Sequence, residues 1–282
     1  MYRVPGTSWK LIMDNSTSHI QIEQGARKTK TLTCPDIITV LRETPFEELN
    51  AVIERYAHDE RKSVQAAVTR ATKRYDLERK ERARVNDMYE LQEKLGGVGT
   101  IIGVDEVGRG PLAGPLAVAA VILPQEPRIW GLNDSKKLTP LERERLDVQI
   151  RAHARAVGIA FTSPEDIDRF GIVSCLRETM KCAILQTGVE PDCVLIDGNP
   201  IHAHPKEKTL IKGDSRIASI AAASIVAKVA RDRLMQDLDV RYPQYHFAEN
   251  KGYGSKAHID AIKTYGLSPV HRKSFCKHFT VA

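Results

Sequence analysis

Two continuous apolar runs constrain this chain more than anything else in it: TIIGV at 100–104 and LAVAAVIL at 116–123. Neither alternates polar with apolar, so neither suits a strand with one wet face. Both are far shorter than the roughly 20 residues that span a bilayer. They read as strands buried on both sides, and such strands need helices above and below a sheet. The pattern that follows supplies them. LTPLERERLDVQIRAHARAVG at 138–158 predicts a helix with Thr139 as N-cap, Pro140 at the first position and Glu142 at the third. VGIAFT at 157–162 predicts a strand, and 163–188 a largely helical stretch. DCVLIDG predicts a strand ending at Asp197, and KTLIKGD another ending at Asp214. SRIASIAAASIVAKVARDRLMQDL is an alanine-rich helix, apolar enough to be mostly buried, and a further helix is expected near SKAHIDAIKTYG. Strand after strand, then strands alternating with helices, indicates an α/β domain with a mixed central sheet flanked by helices. No internal repeat is visible.

The first 95 residues have another texture. Residues 1–33 are polar and aperiodic, and read as a partly disordered tail without the apolar core of a signal peptide. TPFEEL at 44–49 offers Thr44 as N-cap and Glu47 at the third position, predicting a helix over 45–57. A long charged helix follows, with a thin apolar stripe at Val64, Val68, Ala71 and Tyr75, continued by Val85, Tyr89 and Gln92. GGVG at 96–99 ends it, so the expected division is a helical N-terminal extension at 1–95 and a catalytic domain at 96–282.

Charge permits an anionic partner without demanding one. The formal net charge is +6, and residues 251–282 hold six Lys or Arg against one acid, Asp260. The five cysteines are odd in number and lack C-x-x-C spacing, which speaks against a disulfide framework or zinc site and for a cytoplasmic protein. Cys175 and Cys182, seven apart on one helix face, read as small core hydrophobes.

The chemistry is expected where acids meet apolar segments: Asp105 with Glu106 after IIGV, Asp197 after VLI, and Asp214. Singly, each has a plainer reading. Asp214 could cap the helix after it, and Asp197 could form an Asx-turn. Two successive acids at Asp105 and Glu106 are not asked for by turn chemistry. Four converging carboxylates would repel one another and hold each other protonated unless a cation neutralised them. An all-oxygen set favours Mg2+ or Mn2+ over zinc. Two such ions about 3.5–4 Å apart can activate water and stabilise a leaving oxygen in phosphoryl transfer. One difficulty is geometric: neighbours on a regular strand point to opposite faces, so Asp105 and Glu106 share a site only if the strand ends, twists or bulges.

Six segments in order, GVDEVGRGPLAGPLAVAAVIL, LNDSKKLTP, VLIDGN, IKGDSRIASIAAASIVAKVARD, YPQYHFAENKGYGSKAH and HRKSF, closely resemble bacterial ribonuclease HII, the type 2 ribonuclease H. The resemblance runs from about residue 100 to 275, and DERKSVQ before the long helix resembles the extension of Bacillus-type members. It implies an RNase H-like fold and endonucleolytic cleavage of the RNA strand of RNA–DNA hybrids. It also implies cleavage 5′ of single ribonucleotides embedded in duplex DNA, leaving 3′-hydroxyl and 5′-phosphate ends, as in ribonucleotide excision repair. By the same resemblance Asp105, Glu106, Asp197 and Asp214 hold Mn2+ or Mg2+, the backbone of Gly108, Arg109 and Gly110 senses the ribose 2′-hydroxyl, and Tyr253 packs on the sugar beyond the junction. Lys136, Lys137, Lys212, Lys251 and Arg272 are candidate phosphate contacts. Asp232 in VARD reads as structural. The expected partners are hybrid duplexes and ribonucleotide-containing DNA, met by a monomer with no membrane attachment. A silent nucleic-acid-binding module would lack one of the acids, and another nuclease on the same fold would not need GRG and KGYG.

Overall fold

The two apolar runs pair with each other. In the structure, a computed structural model that describes residues 32–278, β1 (Ile101–Val107) and β2 (Leu116–Ile122) form an antiparallel pair with Gly103 opposite Val121 and Val107 opposite Ala117. β3 (Ala156–Thr162) pairs antiparallel with β2, β4 (Cys193–Asp197) parallel with β1, and β5 (Glu207–Leu210) parallel with β4. The resulting mixed sheet has the order β3-β2-β1-β4-β5. Every residue of β2 is buried, as a run without alternation requires.

Helices cover both faces. On one lie α7 (Ala218–Arg241), α4 (Pro140–His153) and the later turns of α3 (Lys62–Gly96), packing Val85, Met88, Tyr89, Leu146, Ile150 and Ile225 against Ala119 and Val121. On the other lie α5 (Pro164–Phe170) and α6 (Ile172–Gln186), with Ile167, Leu176 and Met180 against Val104, Val118 and Ala120. The alanines of α7 let it sit close to β1. A Cβ on Gly103 would lie 2.2 Å from the carbonyl carbon of Ser219, so the glycine inside IIGV is demanded by this approach. Gln92, the last member of the α3 stripe, accepts a 2.7 Å hydrogen bond from the Ser219 amide at the start of α7, a helix with no side-chain N-cap of its own.

The remaining elements are α1 (Cys34–Glu43), α2 (Phe46–Tyr56), α8 (Phe247–Asn250) and α9 (Lys256–Tyr265). The chain divides into two compact units at Thr72, inside α3, and Val85, Met88 and Tyr89 of that helix belong to the core around the sheet. Of the tail expected at 1–33, residues 1–31 lie outside the described residues, and Thr33 caps α1. Among the described residues no helix is long and apolar enough to cross a membrane.

Three expectations are corrected. Helix α2 begins after Pro45 without a side-chain cap, and Thr44 instead closes α1, its hydroxyl donating to Val40 O at 2.7 Å. β5 stops at Leu210, and Asp214 lies in a one-turn 3-10 helix, Gly213–Ser215. Cys182 is exposed while Cys175 is buried. A straight helix drifts about 20° per heptad, and Cys175 already sits at the edge of the buried stripe, so the drift carries Cys182 into solvent. The Thr139 capping box forms as expected.

Candidate active site

Three strand and helix ends deliver one carboxylate each. Asp105 belongs to the last turn of pleat in β1, Asp197 is the final residue of β4, and Asp214 sits just before α7. One oxygen of each lies within 4.8 Å of the others. The neighbouring pairing of β1 and β4 explains the first two. The third is brought in because the Gly213 amide donates to Asp197 Oδ1 at 2.6 Å, folding the 3-10 turn back over the end of β4. Asp214 does not cap α7, whose N-cap is Ile217.

The difficulty with Asp105 and Glu106 has a definite answer. β1 stays regular through Val107, so the two point apart: Asp105 lies opposite Ala119 on the face under α7, and Glu106 opposite Val118 on the face under α6. Glu106 is therefore outside the cluster of three. Its carboxyl nevertheless responds to the site. Burial raises it above the usual carboxylate range, Arg109 pulls the other way, and the charge of Asp197 adds to the rise.

Electrostatically the cluster is under-neutralised. Asp105 is 4% exposed and Asp214 5% exposed. Burial, then the charges of Glu106 and Asp197, push the Asp105 carboxyl well up, against a hydrogen bond from Ser224. Asp214 is raised by burial and by Asp197 and Asp134. One cation stands close: the Lys136 ammonium, 3.7 Å from both Asp134 and Asp214, and held above its ordinary value by the surrounding acids despite its desolvation. Three oxygen donors converging with so little compensation fit a hard divalent cation.

Around the acids the structure places residues that sequence reasoning passed over. Ser224, in the apolar stretch of α7, opposes the rise of the Asp105 carboxyl and is itself 3.0 Å from the Ser135 hydroxyl. Asp134 caps the one-turn 3-10 helix Ser135–Lys137 and bears on Asp214. The signals were there: serine at 224 interrupts an alanine run, and Asp134 and Ser135 precede the two lysines already singled out.

The glycine loop is built by two buried arginines. Arg272, 0% exposed, donates to the carbonyls of Gly108, Arg109 and Gly114 at 2.6–3.1 Å. Arg231, also 0% exposed, donates to Ala113, Pro115 and Lys251. Burial and the neighbouring Arg231 lower Arg272 to about 10. Arg272 is thus corrected from a phosphate contact to a brace of the loop: a side chain sealed in the interior and committed to carbonyls cannot reach a nucleic-acid backbone. Gly108 has φ +89°, and a Cβ there would meet Arg231 Nε at 2.3 Å, so packing demands it. Gly110 is different. A Cβ there would meet nothing within 4 Å.

Of the other sequence candidates, Arg109, Lys136, Lys137 and Lys212 are exposed, and Tyr253 is 47% exposed. Lys251 is half-buried in a left-handed turn and donates to Ala248 O at 2.7 Å. Asp232 pairs with Lys228 at 2.6 Å, the structural role expected of it.

The family model described as Ribonuclease HII matches residues 102–278, and the one described as Ribonuclease HII N-terminal domain matches 34–96. Ribonuclease HII of Geobacillus thermodenitrificans is 45% identical over 224 residues, 79% of this chain and 86% of the relative. That of Bacillus cereus strain B4264 is 41% identical over 248 residues, 87% and 96%. Among solved structures, ribonuclease H2 from Pyrococcus horikoshii OT3 superposes with TM-score 0.56 at 26% identity, covering 64% of this chain and 97% of that one. RNase HII of Archaeoglobus fulgidus, solved in complex with PCNA, gives TM-score 0.55 at 27% identity, covering 63% and 94%.

Proposed function

This chain belongs to the ribonuclease HII family, which cleaves the RNA of RNA–DNA hybrids, and from that premise we propose that it also cuts 5′ of single ribonucleotides in duplex DNA by two-metal-ion catalysis. The products are 3′-hydroxyl and 5′-phosphate ends. The observation that carries the metal dependence is the cluster of Asp105, Asp197 and Asp214, all-oxygen, short of positive charge, with Asp105 and Asp214 buried and Asp197 half-buried. These three hold Mn2+ or Mg2+, with Glu106 contributing from the other side of β1. When bound, the metal lowers the pKa of water and offsets charge on the leaving oxygen.

The chain's own residues do the rest. Asp105 is held by the Glu106 amide at 2.8 Å, and Asp197 by the Gly213 amide. The Lys136 ammonium, already next to Asp214, presents positive charge to an incoming phosphate at the metal edge, and exposed Lys137 and Lys212 extend that charge. Substrate choice belongs to the 108–110 loop and Tyr253. The 2′-hydroxyl distinguishes RNA from DNA at one nucleotide. Backbone groups can read it only where no side chain intervenes. Gly110 fits this role because nothing in the fold needs it to be glycine, so the empty space beside it is free for a ligand. The half-exposed Tyr253 ring offers a flat surface to a deoxyribose.

Asp105→Asn tests the site. Cleavage of a labelled hybrid with Mn2+ or Mg2+ should fall at least about a thousandfold, as expected for losing a metal-holding carboxylate, while circular dichroism stays unchanged. Turnover near wild type in that variant would refute the assignment. Gly110→Ala should leave thermal stability unchanged and reduce cleavage at a single ribonucleotide by about tenfold or more, the effect of one lost hydrogen bond in a closed site. Unchanged cleavage would remove the loop from substrate recognition.

A further inference from the structure

The carbonyl of Tyr253 is held by a chain of hydrogen bonds that begins at a backbone amide and passes through two buried histidines. His258 Nδ1 lies 2.8 Å from Tyr253 O, and His258 Nε2 lies 3.0 Å from His271 Nε2. His271 Nδ1 lies 3.0 Å from the Ser268 amide nitrogen and 2.8 Å from the Ser268 hydroxyl. His258 is 0% exposed and His271 3% exposed.

The two ends fix every proton. A backbone amide only donates, so His271 Nδ1 accepts and the ring carries its proton on Nε2. That proton points at His258 Nε2, which must accept. His258 then carries its proton on Nδ1 and donates it to Tyr253 O, which can only accept. One pair of tautomers satisfies all contacts, and both rings are neutral in it. A further proton on His258 would set two N–H groups head to head. One on His271 would face the Ser268 N–H.

The surroundings favour the same state. Tyr245 and Phe247 pack against both rings with centroids 4.7–6.2 Å away. The Cys276 thiol shares the cluster, and the Tyr245 hydroxyl donates to Gly266 O. Arg272, next to His271, points to the 108–114 carbonyls. Burial lowers both rings. For His271 the neighbouring His258 lowers it further, to about 4, and the Ser268 contact opposes this. No carboxylate contributes to either titration.

The pair also ties Tyr253 to the substrate-sensing loop. His271 forms an antiparallel bridge with Ala113, with Arg272 N donating to Leu112 O and Gly114 N to Val270 O. Leu112 N donates to Gly252 O, one residue before the tyrosine.

We propose that His258 and His271 are positioning residues for Tyr253: as a neutral, singly oriented pair they fix its carbonyl, and so set the ring's placement against the sugar beyond a ribonucleotide–deoxyribonucleotide junction relative to the 108–110 loop. This rests on the reading of Tyr253 as a junction contact. Neither histidine touches substrate or metal.

The test uses the full chain and two substrates, a DNA duplex with one ribonucleotide and a uniform RNA–DNA hybrid that has no such junction. His258→Leu removes the donor to Tyr253 O; His258→Asn keeps a donor near the Nδ1 position. His258→Leu should lower kcat/KM on the single-ribonucleotide duplex by roughly tenfold, with less than about threefold loss on the hybrid, which also reports folding. His258→Asn should recover most of the loss, and in a Tyr253→Ala background His258→Leu should add nothing. Equal losses on both substrates, no rescue by Asn, or full additivity with Tyr253→Ala would overturn the proposal. Should Tyr253→Ala alone leave junction cleavage intact, the reading of Tyr253 is what fails. Ring 15N–1H correlation spectra of the wild type give an answer independent of activity: the expected tautomers are Nδ1–H at His258 and Nε2–H at His271, and the reverse pair would overturn the wire.

Discussion

Asp105 is an expensive residue while its neighbours stay charged. It is 4% exposed, and Asp197 and Asp214 each bring an oxygen within 4.8 Å. Asp105→Asn removes that repulsion, so in EDTA the variant should melt higher than wild type, by about 2–4 °C for each kcal/mol relieved. Adding Mn2+ should raise the wild-type melting temperature and move the variant little. A variant less stable than wild type in EDTA would show that the acids are compensated by the protein itself. His271 gives a pH dependence of definite sign. Its ordinary value is 6.5 and burial holds it near 4 in the fold, so between those values the unfolded chain binds the extra proton. Stability contributed by the neutral ring is full above about 6.5 and lost as pH falls toward 4. Thermal melts of wild type and His271→Asn across pH 4–7 should show the steeper fall in wild type. At this scale the sequence was most readable where residues broke a local rule: adjacent acids after IIGV had no turn-forming excuse. Arg272 was misread because a cation beside a family motif looks the same in sequence whether it faces phosphate or carbonyl oxygens. Only burial separates the two.

Among the elements, the helix α4 shows what local chemistry can determine alone. Thr139 Oγ1 accepts from the Glu142 amide, and the Glu142 carboxylate accepts from the Thr139 amide at 2.8 Å, so the start of the helix was legible from four residues. Thr139→Ala should cost about 1 kcal/mol, read as a lower urea midpoint with an unchanged slope, and no change in the slope of activity against metal concentration. TPFEEL carries the same signature and ends differently. There Thr44 follows directly on α1, and both its amide and its hydroxyl go to Val40 O. Which helix a threonine serves depends on what precedes it, and a window opened at the threonine cannot see that. Strand ends show a similar limit. Asp197 and Asp214 were both read as strand ends from apolar runs, and only Asp197 is one. The chain beyond Leu210 leaves the sheet because its backbone bonds turn elsewhere, the Gly213 amide going to the Asp197 side chain and Gly198 N to Leu210 O. Those are contacts across 12 residues or more, invisible to periodicity.

At the scale of the whole molecule the open question is what the region before β1 does. GGVG looked like a boundary, and it does end α3. Yet Val85, Met88 and Tyr89 are 0–2% exposed within the core under the sheet, and Gln92 supplies the acceptor for the first turn of α7. Periodicity revealed the apolar stripe of α3 but not that its later turns pack under the sheet. The consequence is testable by truncation. Burying the three side chains is worth about 1.5–3 kcal/mol each, together comparable with the ~5–15 kcal/mol total stability of a domain. A chain lacking residues 1–95 should therefore fail to fold or melt far below the full chain. A chain lacking 1–72 keeps all three and should fold, with a cooperative melt far above that of the chain lacking 1–95. That shorter chain is the right reagent for asking whether the preceding helices help to hold duplex. With 17 basic and 15 acidic residues in 1–95, electrostatic grip there is slight. Removing 1–72 should raise KM on a hybrid by no more than about threefold at moderate salt and leave kcat unchanged. A large fall in kcat would instead place part of the catalytic arrangement upstream of Thr72.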